Sequence, residues 1–150
     1  MVDRASRRRL AELLRQLVAG RITNDEFEDR IPRDSPDPAI GAVFGDGAWC
    51  LYDDLHEHRP VGRYRLSRKA RHEAARWILF LETDLEYEWP VLPMWKRLAL
   101  TLASLATLGL LAIIMRRRNS RNAQLAVWPF RTPNAYEAAL RQPPYLNGAV

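Results

Sequence analysis

Residues 98–115 read LALTLASLATLGLLAIIM, eighteen positions without a charge, a proline or an amide side chain. At about 1.5 Å of rise per residue, a helix of this length spans roughly 27 Å, close to the hydrocarbon thickness of a bilayer. The flanks suit that environment. Trp89 and Trp95 fall where an interfacial aromatic belt forms, Lys96 and Arg97 precede the stretch, and Arg116, Arg117 and Arg118 follow it, placed to hold lipid headgroups. The stretch therefore predicts a single-pass transmembrane helix, with the lipid bilayer as the first partner. The competing reading is a buried core helix, which a chain of this size rarely makes apolar all round. Within the stretch Ala99, Ala103, Ala106 and Gly109 recur three or four positions apart, joined by Ser104 and Thr107. A face of small residues lets two helices approach closely in lipid, so a homo-oligomer, or pairing with another membrane protein, is expected.

Working outward, residues 1–97 carry 17 basic and 17 acidic side chains, and residues 116–150 carry 6 basic and 1 acidic. The whole formal charge of +5 thus lies in the tail. Basic segments beside a span are read as contacts to anionic lipid, at about 1 kcal/mol per side chain near the surface. A nucleic-acid partner is not expected, because it would want basic residues interleaved with aromatics on a folded surface. The single cysteine, Cys50, excludes an intramolecular disulfide. The first twenty residues, MVDRASRRRLAELLRQLVAG, place charges where a signal peptide needs an apolar core. Targeting is expected to fall to the span itself.

In residues 4–19, Leu10, Leu13, Leu14 and Leu17 follow the three-and-four spacing of an amphipathic helix. Gly20 supplies a stop, and Thr23 with Glu26 forms a capping box that starts a second short helix, with Phe27 and Ile31 on one face and Pro32 at its end. This unit, LAELLRQLVAGRITNDEFEDRI at residues 10–31, resembles the SHOCT family of short helical modules in its leucine helix, its Gly20, its Ile22-Thr23 pair and its acidic stretch ending in Glu26-Phe27. The resemblance implies a two-helix oligomerisation or docking element, with Leu10, Leu13, Leu14, Leu17 and Phe27 as the interaction residues. The plainer alternative is a helical hairpin packed on its own domain.

Residues 32–38, PRDSPDP, are a proline- and aspartate-rich linker. Beyond it Asp37 caps a helix with Pro38 in its first turn. Ile40, Val43, Phe44, Ala48, Leu51, Tyr52 and Leu55 mark a buried stripe reaching about residue 57, softened by Gly41, Gly45 and Gly47. After a turn around Pro60 and Gly62, Ser67 caps a further helix whose apolar face, Ala70, Ala74, Trp77, Ile78, Leu81 and Leu85, is expected to pack against that stripe. Glu82, Asp84, Glu86 and Glu88 then form a solvated acidic connector ahead of the span.

One constellation invites a chemical reading. In YDDLHEHR, residues 52–59, Asp53 lies three residues from His56 and four from Glu57, so they share a face if the segment is a helix end. His58 and the distant His72 would then complete a metal shell. Its spacing matches no recognised motif such as HExxH, and histidines ending a helix commonly meet its terminal carbonyls. Nucleophile-and-base pairs and phosphate-cradling glycine loops are absent from the pattern, and neither a cofactor nor a small-molecule substrate is implied.

In the tail, Asn134 and Glu137 suit a capping box for a short helix, and Trp128, Pro129 and Phe130 suit an interfacial anchor holding the tail on the bilayer surface. For topology, two arguments compete. The arginines at 116–118, with Arg121 and Arg131, place the tail in the cytoplasm by the positive-inside rule. The N-terminal domain, with its 34 charges and lone cysteine, also reads as cytoplasmic. A chain crossing once satisfies only one of them, and the three arginines abutting the apolar stretch favour the cytoplasmic tail. The sequence thus predicts an all-α protein: a helical hairpin at 1–31, a linker at 32–38, a helical pair and acidic connector at 39–97, a transmembrane helix at 98–115 and a basic tail at 116–150. Its function reads as a membrane-anchored interaction protein, with a small metal-dependent enzyme or regulator using residues 52–72 as the alternative.

Overall fold

The computed structural model describes residues 1–89 and 126–141. The apolar stretch at 98–115 lies outside these residues. Those described are helical, with no strand among them, and no helix among them is long and apolar enough to cross a membrane.

Helix α1, Arg4–Val18, opens on Asp3, whose side chain accepts from the Ser6 amide. It closes in a Schellman turn, with the Gly20 amide donating to the Leu17 carbonyl and the Arg21 amide to that of Gln16. Gly20 sits at φ +67°, and a Cβ there would stand 2.4 Å from Val61 Cγ1, so left-handed backbone and close approach both require glycine. Helix α2, Asn24–Asp29, starts from the reciprocal Thr23–Glu26 capping box. Helix α3, Pro38–Ala42, is capped by Asp37 and continues through a wide turn, Val43–Gly47, into a tight turn, Ala48–Leu51. Helix α4, Arg68–Leu81, is capped by Ser67.

Leu10, Leu14, Leu17, Ile22 and Phe27 from the hairpin form the core with Ile40, Val43, Ala48, Ala74, Trp77 and Leu81. The main partner of α4 is α1. The α4 face shares this core with Ile40, Val43 and Ala48 of the preceding stripe, as expected, with α1 as its larger neighbour; the length of that stripe is corrected. Helical backbone ends at Leu51, because Tyr52 is fully extended (φ −137°, ψ 169°), and Leu55 is 85% exposed.

The other face of α4 meets the tail. Helix α5, Pro133–Arg141, follows the turn that carries Val127 to Phe130. Leu79 and Phe80 pack there with Phe130 and Ala139, flanked by Tyr87, Val127 and Tyr136. Phe80 and Phe130 meet edge to face at 5.2 Å, as Trp77 and Trp128 do at 5.8 Å. Three hydrogen bonds close the seam: Arg76 Nε to the Trp128 carbonyl at 2.7 Å, Trp89 Nε1 to the Pro129 carbonyl at 3.1 Å, and Trp128 Nε1 to the Tyr87 hydroxyl at 3.2 Å. Gly47 leaves room for the Trp128 ring, which would lie 3.0 Å from a Cβ at that position. Full burial of Phe130 contributes roughly 1.5–3 kcal/mol and each hydrogen bond about 1 kcal/mol.

This seam corrects two expectations about the tail. Pro129 and Phe130 are fully buried, and Trp128 is half-buried against Trp77 and Gly47. The N-cap of α5 is Thr132, whose hydroxyl accepts from the Ala135 amide, and Asn134 lies within the helix.

Candidate functional site

The residues expected to form a docking face are core. Leu10, Leu14, Leu17 and Phe27 are 0% exposed and Leu13 is 6% exposed. In this fold they hold the hairpin to its own domain, the plainer of the two readings of that unit. The small and basic residues assigned to anchoring, Trp95, Lys96, Arg97, Ala99, Ala103, Gly109, Arg116, Arg117 and Arg118, lie outside the described residues.

Beneath the hairpin is a buried ion pair that periodicity does not reveal. Arg7, on the leucine side of α1, is 1% exposed. Its Nε donates to Asp37 Oδ2 at 2.6 Å and its second amino group to Oδ1 at 3.2 Å, while the first donates to the carbonyls of Thr83 and Leu85 at 3.0 and 2.8 Å. The guanidinium lies 5.2 Å from the centroid of the Phe80 ring. Asp37 also accepts from the amides of Asp3 and Ala39. Burial works to raise the Asp37 carboxyl, but these donors prevail and hold it below the ordinary carboxylate range. One ion pair thus ties α1, the start of α3 and the segment after α4 together.

The acidic connector follows the same logic. Glu82 pairs with Arg15 at 2.8 Å, Asp84 with Arg4, and Glu86 with the terminal amine at 3.3 Å. Glu82 is held against α1, whereas Asp84, Glu86 and Glu88 stay exposed, as a solvated connector would be, with the first two reaching back to the start of the chain. The exposed pairs contribute little, about 0–1 kcal/mol each.

Residues 52–61 form a loop pinned by Asn24, which is 1% exposed. Its amide nitrogen donates to the carbonyls of Asp53 and His56, its side-chain oxygen accepts from the His58 amide at 2.7 Å, and its own backbone amide donates to the His58 carbonyl. Thr23 Oγ1 reaches Glu57 at 2.8 Å. The histidines gather around Tyr64: His56 Nε2 lies 2.6 Å from its hydroxyl, the His58 ring stacks at 4.2 Å, and Arg63 donates to the same oxygen. His72 is an exposed residue of α4. Among the described residues no three His, Cys, Asp or Glu side chains come together as a metal shell. The expected set Asp53, His56, His58 and His72 is not assembled, because the segment is loop and its polar atoms serve to fasten that loop.

A cleft of about 330 Å³ lies between the linker and α3, lined by Ile31, Arg33, Pro36, Ile40 and Phe44 with Asp37 at its edge. Arg33 stacks over Phe44 at 5.7 Å and Asp37 is committed to Arg7, so no acid and base face each other there. Nearby, burial raises the Tyr52 hydroxyl above the ordinary phenol range, helped by the neighbouring Glu28 carboxylate.

The neutral charge of the domain conceals a segregation. Residues 23–57 carry ten carboxylates against two arginines, whereas residues 58–76 carry seven basic side chains against Glu73 alone. Arg59, Arg63, Arg65, Arg68, Lys69 and Arg71 are all exposed, beside the half-exposed Val61. Comparison with known protein families, with curated proteins and with solved structures finds no match.

Proposed function

We propose that this protein is a membrane-anchored helical interaction protein: a compact α-helical body held at a lipid surface, where it docks another protein or a second copy of itself. The observation that carries the reading is the uncharged stretch at 98–115 with basic residues at both ends, since exposing such a segment to water costs about 25 cal/mol for every Å² of apolar surface. The SHOCT-like hairpin supports the docking role by resemblance. Because its leucines are internal, docking falls to the outer surface, where the acid-rich segment 23–57 and the exposed basic residues of segment 58–76 suit a partner of matching charge pattern. Steering by such charges weakens with salt.

Carbonate extraction of membranes is the test of anchoring. Retention in the pellet until detergent is added is expected, and release into the supernatant would overturn the proposal. Cross-linking in the same membranes tests docking. A trapped complex whose yield falls as ionic strength rises is expected, and an unlinked monomer at low salt would remove the interaction role.

A further inference from the structure

The described residues on either side of the apolar stretch are fastened together. Residue 89 precedes it and residues 127–130 follow it, yet Trp89 Nε1 donates to the Pro129 carbonyl, Tyr87 accepts from Trp128, and Phe130 is fully enclosed between Phe80 and Tyr136. Between these fixed points lie residues 90–125, 36 in number. One full crossing takes about 20 apolar residues, and a return crossing doubles that need. The sequence offers one uncharged run of eighteen, closed by Lys96-Arg97 and Arg116–Arg118. Length therefore permits one crossing, the seam forbids it, and two crossings do not fit.

We infer that the protein is anchored from one side: the helical body and the tail helix α5 occupy the same face of the membrane. This rests on the proposed membrane attachment and specifies its geometry. Charge supplies an independent argument. In a single crossing, Lys96 and Arg97 must lie across the membrane from Arg116, Arg117 and Arg118, and the positive-inside rule is satisfied at one end only. In one-sided anchoring all five basic residues meet the same anionic leaflet. The reasons for placing the tail and the body on the cytoplasmic face then cease to compete.

The native chain carries its own reporter. Cys50 is its only cysteine and is exposed on the body. A second reporter is made in a Cys50→Ser background by Ala138→Cys, with Leu140→Cys as a replicate, both exposed positions on α5. The full-length variants are treated with a membrane-impermeant maleimide in intact cells and in inverted membrane vesicles. Cys50 and the α5 cysteines are expected to label in the same preparation and to be protected in the other. Labelling of Cys50 in one preparation and of the α5 cysteines in the opposite one overturns the inference and reinstates a single crossing. Carbonate extraction of the same samples separates the two claims: release without detergent overturns membrane attachment and the inference with it, whereas retention with opposite-side labelling overturns the inference alone.

Discussion

Replacing Asp37 with alanine removes two things at once. It strips the counter-ion from a guanidinium that is 1% exposed, and it removes the cap that accepts from the Ala39 amide. Leaving a buried charge unpaired costs about 3–5 kcal/mol, and losing an aspartate cap costs about 1 kcal/mol. A loss of roughly 4–6 kcal/mol is expected, a large part of the 5–15 kcal/mol that holds a typical domain together. Arg7→Met should cost less, about 2–3 kcal/mol, because Asp37 keeps the amides of Asp3 and Ala39 while the carbonyls of Thr83 and Leu85 lose their donor. The double variant should cost no more than Asp37→Ala alone, since removing both charges leaves neither stranded. Urea unfolding of the full-length protein in detergent, followed by tryptophan fluorescence, reads all four corners of this cycle. Additivity of the two single changes within about 0.5 kcal/mol would refute the claim that the pair acts as one buried unit.

Three further outcomes follow from the same contacts. Because the Asp37 carboxyl is held below its ordinary value, its contribution is intact above about pH 4 and is lost as pH falls through the lowered folded value; urea midpoints from pH 6 to pH 2.5 should fall in the native protein, and Asp37→Asn should flatten that acid limb. Phe130→Ala should cost about 3–5 kcal/mol at the seam, releasing α5 while leaving the α1–α4 core; faster tryptic cleavage at Arg131, with only the small loss of helix content that melting a nine-residue helix gives, is the signature, and unaltered cleavage would deny the seam its role. Gly20→Ala places a Cβ 2.4 Å from Val61 Cγ1 at φ +67°, so a loss of about 1–3 kcal/mol in thermal unfolding is expected, and an unchanged Tm would contradict the close approach.

Much of the local architecture was legible in the chain itself. Asp3, Thr23 with Glu26, Asp37 and Ser67 cap helices through side chains two or three residues from the amides they serve, so no distant contact is needed to form them. The leucine spacing of α1 identified its buried side for the same reason, and Gly20 ended it through its own backbone freedom. What that buried side covers was not legible, because spacing records that a face is apolar and not whether its partner is the same chain or another. Tertiary packing decided that Leu10, Leu14 and Leu17 are core. It decided that Arg7, charged and on that side, enters the interior because Asp37, thirty residues away, meets it there. It left the metal-shell alternative unassembled among the described residues, since His56 and His58 depend on a loop conformation that Asn24 sets from the hairpin. It also divided α4 between two partners: Ala74, Trp77 and Leu81 keep helical spacing toward α1, but Leu79 and Phe80 break that single stripe because a second surface, around Phe130, waits on the other side. That last contact brings residues 89 and 129 together, a constraint on membrane sidedness that no count of apolar or basic residues contains, because pairing across forty positions is a property of the folded chain alone.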